Sequence, residues 1–269
     1  MKLSEAALLL RNAGIDNARG EARILFREIG KIKESELYGG DPDSSSEELI
    51  SAVERRRSRE PLQYILGKCD FYNETYLVTP DCLIPRQDTE ILVDYAVKNL
   101  PDGAYFIDLC TGSGCIAIST LKNTNGTRAT AVDISAAALD VAKKNAVRCE
   151  VADRIEFSNS DVLSGKIKDG AFAILSNPPY VTTEAYNSLE PEIYREPKEA
   201  FLGGDDGLIF YRRITGLYKD AIPMNGFIAF EIGYDQGAAI SEIAEANGMS
   251  AEILKDFSDN DRVAVLKRK

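Results

Sequence analysis

From about residue 104 onward, short apolar runs alternate with segments that have helical periodicity. A strand, a helix and the next strand form the repeating unit of a doubly wound parallel sheet, so this alternation predicts an α/β fold. The last two strands are joined by too few residues for a parallel crossover, so we expect them to pair antiparallel. The predicted strands cover 104–109, 127–133, 154–161, 171–177, 226–233, 250–257 and 262–268, and the predicted helices cover 135–147, 207–222 and 236–248.

About the first 60 residues instead space their apolar side chains three and four apart, which is typical of helices. A run of serines before two glutamates at 47–48 predicts a helix start, and that helix should end near Arg59. We interpret its consecutive arginines, 55–57, as a solvent-exposed face.

A segment of different character joins the helical part to the α/β part. Residues 67–85 alternate apolar and polar side chains around a turn at Asn73-Glu74, which predicts a β-hairpin. We therefore divide the chain into a helical domain over 1–66, a hairpin linker over 67–84 and an α/β domain over 85–269.

Charge and composition exclude several kinds of function. The net charge is −11, from 32 basic and 43 acidic residues, which argues against direct binding to nucleic acid phosphates. The sequence contains no histidine, so Ser-His-Asp triads and His-ligated zinc are excluded. The five cysteines form no Cys-x-x-Cys pair, and the sequence has no evident signal peptide or apolar run of membrane-spanning length. We therefore expect a cytoplasmic protein with mostly buried thiols, no metal site and no membrane partner.

A glycine-containing loop follows the first strand of the α/β part and precedes a helix. Glycines in this place let the backbone turn sharply and approach a ligand closely. Asp133 ends the next strand, where a carboxylate can accept hydrogen bonds from both hydroxyls of an adenosine ribose. The loop itself is compatible with NAD and with S-adenosylmethionine, but Asp108 would repel a pyrophosphate and favours a ligand with an ammonium and a sulfonium. The candidate cofactor-binding residues are Asp108, Cys110, Thr111, Gly112, Ser113, Gly114 and Asp133.

Two further cofactor candidates follow the third predicted strand. Asp161 closes that strand and Val162 comes next. The carboxyl ends of strands line the ligand crevice of a doubly wound sheet, so both residues are expected beside the adenine. The indication is positional only, because an ordinary turn after a strand explains the same residues.

The sequence Asn177-Pro178-Pro179-Tyr180 ends the fourth predicted strand, next to the first strand in a sheet of this winding. Two consecutive prolines fix the backbone and have no N–H to donate. The Asn177 side-chain oxygen and the Pro178 carbonyl then become rigid acceptors for an NH2 group, either a carboxamide or an exocyclic base amine. Tyr180 offers a flat apolar face for a planar group. We predict that these four residues bind the substrate and that Asn177 also borders the cofactor.

The order of these motifs resembles the PrmC/HemK family of glutamine N5-methyltransferases, which modify class-1 peptide release factors. Residues 61–72 (PLQYILGKCDFY) resemble the family's domain linker, and 84–90 (IPRQDTE) resemble its Ile-Pro-Arg-Pro-Asp-Thr-Glu signature. Residues 108–114 (DLCTGSG) match its cofactor loop, and 177–180 match its substrate motif without change. Two residues depart from the family pattern: Gln87 replaces a proline, and Cys110 replaces a glycine.

The resemblance implies a Rossmann-like class I methyltransferase domain with about seven strands and an N-terminal helical domain that recognises the protein substrate. It also implies S-adenosylmethionine as cofactor, S-adenosylhomocysteine as product and class-1 release factors as partners. The methyl acceptor would be the glutamine of their Gly-Gly-Gln motif, with catalysis by Asn177, Pro178, Pro179 and Tyr180.

Four alternatives remain open from the residues themselves. A nucleic-acid amine methyltransferase uses the same acceptor chemistry but conflicts with the acidic charge. A methyltransferase for a glutamine of a ribosomal protein shares the cofactor and the motif, although Arg86, Asp88, Thr89 and Glu90 favour the release-factor branch. A binding module without catalysis and an NAD-dependent oxidoreductase fit the sequence less well.

Overall fold

The computed structural model describes residues 1–165 and 168–269. It divides into two compact units, the smaller comprising Met1–Cys69 with Glu190–Arg195 and the larger comprising Asp70–Leu189 with Glu196–Lys269. In the described part of the chain, no helix is both long and apolar enough to cross a membrane.

The smaller unit is helical, as predicted. Its helices bury one apolar side each, and together they form a separate core around residues such as Leu10, Leu25 and Phe26. The Ser46 hydroxyl accepts a hydrogen bond from the Leu49 N–H and so caps the fourth helix, as the serine run predicted. The helices are α1 (Leu3–Asn12), α2 (Ala18–Glu28), α3 (Glu34–Gly39), α4 (Glu47–Arg57) and α5 (Leu62–Leu66).

The prediction that the arginines at 55–57 form a solvent-exposed face is wrong for the middle residue, Arg56. Arg55 and Arg57 are exposed, but Arg56 is buried. Its guanidinium pairs with the carboxylates of Glu21 at 2.5 Å and Glu192 at 2.8 Å. The reason is helical spacing, because Arg56 lies one turn after the buried Ala52–Val53 pair and therefore points the same way.

The predicted hairpin is present, with its turn one residue earlier than expected. Strands β1 (Lys68–Phe71) and β2 (Glu74–Leu77) form a two-stranded sheet. Tyr72 and Asn73 join them, with φ of 48° and 64°. Two consecutive left-handed residues are typical of the tight hairpin turns whose twist matches that of the strands. Tyrosine is an unusual residue for this conformation, so the sequence pattern did not indicate it.

A seven-stranded sheet forms the centre of the larger unit, which confirms the predicted fold class. The strand order is β5-β4-β3-β6-β7-β9-β8, in which β9 is antiparallel to both of its neighbours, β7 and β8, and the other neighbouring pairs are parallel. The order reverses between β3 and β6, and ligands bind doubly wound sheets at such switch points. The strands are β3 (Tyr105–Leu109), β4 (Arg128–Asp133), β5 (Ile155–Asn159), β6 (Ala173–Ser176), β7 (Phe227–Glu231), β8 (Met249–Lys255) and β9 (Asp261–Arg268).

Both faces of this sheet are buried. Successive residues of β3 point to opposite faces, so Phe106 packs into one apolar core and Ile107 into the other. The observed elements are shorter than predicted at several ends; the third predicted strand, for example, stops at Asn159 rather than at Asp161. The side-chain amide of Asn159 donates to the carbonyls of Asp133 and Ile134 there, which ends the regular pairing. The helices are α6 (Glu90–Asn99), α7 (Cys115–Lys122), α8 (Ala136–Arg148), α9 (Thr183–Tyr186), α10 (Ile209–Tyr218) and α11 (Gly237–Ala246).

Candidate active site

A cavity of about 580 Å³ lies in the larger unit, where the loops after β3, β4, β5 and β6 meet. Its lining contains seven of the predicted site residues: Cys110, Gly112, Asp133, Asp161, Val162, Asn177 and Pro179. The other six are not part of this lining: Asp108 lies in β3, and the loops after β3 and β6 contain Thr111, Ser113, Gly114, Pro178 and Tyr180. The structure therefore brings both predicted motifs to one cavity, but only part of each motif faces it.

Asp108 supports the loop after β3 from inside the protein. Its side chain is fully buried, and its Oδ2 accepts hydrogen bonds from the Thr111 hydroxyl at 2.5 Å and the Ala117 N–H at 3.2 Å. Burial raises the pKa of the carboxyl to about 7, and the neighbouring Asp133 charge adds to this, although both hydrogen bonds oppose it. Oδ1 has no hydrogen-bond partner among the described atoms. A buried acceptor of this kind suits a cationic ligand or a solvent molecule that donates to it.

The backbone of the same loop is left-handed at three positions, with φ of 61° at Cys110, 55° at Gly112 and 83° at Gly114. A Cβ at Gly114 would lie 2.9 Å from the Ile118 side chain and 3.1 Å from Ala142, so close helix packing also requires glycine there. A Cβ at Gly112 would meet nothing within 4 Å, because this residue borders the cavity. Cys110 keeps the left-handed conformation despite its side chain, at a cost of about 1 kcal/mol.

Asp133 holds the loops after β3 and β4 together. Its Oδ2 accepts from the Gly112 N–H at 2.8 Å, and its Oδ1 accepts from the Ser135 N–H at 2.9 Å. Burial raises the pKa of the carboxyl, and the backbone hydrogen bonds oppose that rise. Each carboxylate oxygen has a further lone pair, so Asp133 can still accept hydrogen bonds from a ligand in the cavity.

Several apolar side chains line the cavity. Val162 is buried, and the Leu163 N–H donates to Asp161 at 2.8 Å, which fixes the turn after β5. Ile134 is 65% exposed but borders the cavity, as does Phe210. The sequence prediction missed Ile134 and Phe210; an apolar residue directly after Asp133 was the only available signal for the first.

The hairpin also contributes to the site, which the sequence did not indicate. Asn145 of α8 is buried, and its side-chain oxygen accepts from the Leu77 N–H at 2.7 Å. Its amide nitrogen donates to the carbonyls of Leu77 at 3.0 Å and Ser113 at 2.9 Å. This single side chain joins β2 to the loop after β3, and residues 81–83, which follow β2, line the cavity.

The Asn-Pro-Pro-Tyr segment begins directly after β6. The sheet register pairs Ser176 with Leu109, and the Ser176 hydroxyl donates to the Leu109 carbonyl at 2.6 Å. This places Asn177 beside the loop that starts at Cys110. The Asn177 amide nitrogen donates to the Thr89 hydroxyl at 3.4 Å, so its side-chain oxygen is the end left to accept from a ligand.

Tyr180 and Thr89 meet at one buried carboxylate. The Thr89 hydroxyl donates to Glu231 Oε2 at 2.5 Å, and the Tyr180 hydroxyl donates to Glu231 Oε1 at 3.3 Å. Burial raises the pKa of Glu231, while the Thr89 and Tyr180 hydrogen bonds and the Arg262 charge oppose this rise. Burial also raises the pKa of the Tyr180 hydroxyl, which therefore stays protonated at neutral pH.

The segment 84–90 is fixed beside these residues by its polar groups. Glu196 forms an ion pair with Arg86 and accepts from the Ile84 N–H at 3.0 Å. Asp88 pairs with Arg262 at 3.3 Å. Gln87 starts the short 3₁₀ helix Gln87–Thr89, so the segment turns without a proline at this position.

Within the described residues, no group of three or more cysteine, aspartate or glutamate side chains could hold a metal ion. The lining of the cavity instead combines polar groups of the loops, apolar side chains and the Asn177 carboxamide. Such a site can bind an adenosine-bearing ligand next to a group with an NH2 donor.

Models of two protein domains match different parts of the chain. Residues 2–67 match the model of the PrmC N-terminal domain, and residues 87–202 match that of the methyltransferase small domain. The chain is 38% identical to the release factor glutamine methyltransferase of Thermodesulfovibrio yellowstonii, over 92% of each protein. It is 34% identical to the protein of the same name from Moorella thermoacetica, over 99% of this chain and 97% of that one. The fold is similar to that of a methyltransferase from Pyrococcus furiosus, with a TM-score of 0.53 and 17% identity over 71% of this chain and 87% of that one.

Proposed function

This chain belongs to the release factor glutamine methyltransferase family, and we propose that it transfers a methyl group from S-adenosylmethionine to a release-factor glutamine. The acceptor atom would be the side-chain nitrogen of the glutamine in the Gly-Gly-Gln motif of a class-1 release factor. The observation that carries this proposal is the orientation of Asn177. Its nitrogen donates to Thr89, which leaves its oxygen to accept a hydrogen bond from a substrate NH2 group.

The residues around the cavity fit S-adenosylmethionine. The Asp133 carboxylate would accept from the ribose hydroxyls, and the wall formed by Ile134, Val162 and Phe210 would contact the adenine. Asp108 is fully buried and absent from the cavity lining, so it would act on the positive charge at the methionine end of the cofactor through its own charge rather than by direct contact. Bound S-adenosylmethionine supplies the methyl group as the C–S bond breaks, and S-adenosylhomocysteine is the product.

The acceptor side is the more demanding part of the chemistry, because an amide nitrogen shares its lone pair with the carbonyl and is a weak nucleophile. Asn177 and the Pro178 carbonyl would accept its two N–H groups and so hold the nitrogen in line with the methyl carbon. Most of the rate gain then comes from positioning. The same acceptors stabilise the positive charge that develops on nitrogen. The methylated amide then loses a proton to water, so no strong base is needed.

We also retain the predicted division of the chain, in which the helical domain over 1–66 recognises the protein partner, 67–84 links the domains and 85–269 carries the chemistry. The match of residues 2–67 to the PrmC N-terminal domain supports the predicted end of the helical domain at residue 66.

Methyl transfer to several possible acceptors, each offered separately, tests this proposal. A purified class-1 release factor, a ribosomal-protein fraction, and DNA and RNA would each be incubated with the enzyme and S-adenosylmethionine labelled in the methyl group. We expect label in the release factor alone. Label in the ribosomal fraction or in nucleic acid, with none in the release factor, would contradict the proposed substrate.

A further inference from the structure

A chain of hydrogen bonds runs from Tyr180 through Glu231 and Thr89 to Asn177; its central bond, between Thr89 and Glu231, is buried and the two outer bonds are partly buried. Thr89 and Glu231 are each 2% exposed, so solvent does not compete for their polar atoms. These residues come from separate elements: the 3₁₀ helix before α6, the end of β7 and the loop after β6. The folded chain brings them together at the one side chain that we expect to contact the substrate amide.

The direction of these hydrogen bonds is determined by how many protons each group has. A carboxylate can only accept, and the two hydroxyls approach different oxygens of Glu231. Thr89 has a single hydroxyl proton, and its oxygen lies 2.5 Å from the carboxylate. Once that proton is donated to Glu231, the Thr89 oxygen can only accept from Asn177.

This matters because the two ends of a carboxamide have nearly the same shape but opposite hydrogen-bonding character. With its nitrogen toward Thr89, Asn177 presents an acceptor to the substrate. Rotated by half a turn, it would present an NH2 group to the NH2 group of the substrate glutamine, and the two sets of donors would repel each other.

We propose that Thr89, held by Glu231, is a positioning residue that fixes Asn177 with its side-chain oxygen toward the substrate amide. This inference rests on the proposed function. Thr89 itself does not need to contact the substrate or the cofactor, and it is absent from the lining of the cavity.

Two substitutions at the same position separate positioning from packing. Thr89→Val keeps the branched shape and removes the hydroxyl, whereas Thr89→Ser keeps the hydroxyl and removes a methyl group. We expect Thr89→Val to lower kcat on the order of tenfold to a hundredfold, which is less than the roughly hundredfold to thousandfold loss for a group that contacts the reacting atoms, because Thr89 acts only through Asn177. Its affinity for S-adenosylhomocysteine, measured by calorimetry, should stay within about twofold of the wild type, because a hydroxyl that contacts no ligand adds nothing to binding. Thr89→Ser should retain most of kcat.

A second readout does not depend on turnover. In a ¹⁵N-labelled protein, the side-chain NH2 signals of Asn177 are the pair that Asn177→Ala removes. We expect Thr89→Val to shift this pair and to speed the exchange of its protons with water, while Thr89→Ser leaves it close to the wild type. An unchanged pair in Thr89→Val would overturn the proposal.

The outcomes distinguish this inference from the function on which it rests. If the wild type does not methylate a release factor, the proposed function fails. If the wild type does so and folded Thr89→Val keeps full kcat, the positioning role fails. Should Thr89→Val not fold, Glu231→Gln replaces it, because a glutamine of the same size can also donate and no longer fixes the Thr89 proton. Partial loss of kcat with unchanged cofactor affinity would then support the proposal, and full kcat would contradict it.

Discussion

The Asp133 carboxylate accepts a hydrogen bond from the backbone N–H of Gly112, with 2.8 Å between oxygen and nitrogen. Asp133 is the last residue of β4, and Gly112 lies in the loop after the neighbouring strand β3. The bond therefore joins the loop proposed to approach the cofactor to the carboxylate that would bind its ribose. A second bond, from the Ser135 N–H, holds the other carboxylate oxygen at 2.9 Å. Asp133 is thus oriented before any ligand binds.

Asp133→Ala should weaken cofactor binding far more than it weakens folding. Removing the carboxylate takes away the proposed acceptor for both ribose hydroxyls, so we expect the Kd for S-adenosylhomocysteine to rise at least about tenfold, or about 1.4 kcal/mol. The free energy of unfolding should fall by only about 1–2 kcal/mol, for the lost backbone hydrogen bonds. Calorimetry and denaturant unfolding measure the two effects. Asp140→Ala, at an exposed position on α8, is the matched control; an unchanged Kd in Asp133→Ala would remove this residue from the site.

Asn177→Ala should abolish methyl transfer and spare cofactor binding. Its oxygen is expected to contact the acceptor amide rather than the ribose, so we expect kcat to fall on the order of a hundredfold or more while cofactor affinity changes little. Single-turnover kinetics with labelled S-adenosylmethionine, combined with calorimetry, separate the two quantities. Asn99→Ala, at the exposed end of α6, controls for the loss of any asparagine. Near-normal turnover in Asn177→Ala would refute the proposed role.

The ionisation of Asp108 should make stability without ligand depend on pH. Its pKa rises from an ordinary 3.8 to about 7 in the folded protein, so the folded state holds a proton that the unfolded chain releases. The resulting stability is fully present below pH 4 and is lost as the pH rises to about 7. The stability of Asp108→Asn relative to that of the wild type should therefore increase by about 2 kcal/mol from pH 5 to pH 8. Unfolding curves of both proteins at pH 5 and pH 8 would measure this increase. A stability difference between variant and wild type that does not change with pH would contradict the raised pKa of Asp108.

The left-handed conformation of Cys110 should cost measurable stability. We compare Cys110→Ala, which loses the sulfur but keeps Cβ, with Cys110→Gly, which loses both. At a φ of 61° the Cβ is the source of strain, so we expect the glycine variant to be more stable than the alanine variant by about 1 kcal/mol. Chemical denaturation measures the difference. Equal stability would show that the loop accommodates a side chain there without strain.

Periodicity made most of the fold predictable. Buried parallel strands and amphipathic helices have distinct patterns. The predicted strand end at Asp133 is confirmed, whereas the fourth predicted strand ends at Ser176, one residue before Asn177. The predicted clustering of the glycine loop with the Asn-Pro-Pro-Tyr segment followed because parallel strands place their carboxyl ends at one edge.

The features that were missed depend on contacts between distant parts of the chain. Thr89 lies 88 positions before Asn177, and no local pattern indicates that these two side chains meet. Asn145 likewise joins β2 to the loop after β3, and no local sequence pattern indicates this contact. Arg56 is a different case, since helical spacing places it on the buried face but its charge suggested exposure. Only the positions of Glu21 and Glu192 in the folded structure explain its burial.

The position of the transferred methyl group tests the central claim most directly. A class-1 release factor would be methylated to completion, digested and mapped by peptide fragmentation, beside a version in which the glutamine of the Gly-Gly-Gln motif is replaced by alanine. We expect a single added methyl on the side-chain nitrogen of that glutamine, and no methyl in the substituted protein. A methyl group on another residue, or equal methylation of the substituted protein, would contradict the assignment of the site around Asn177 to that glutamine.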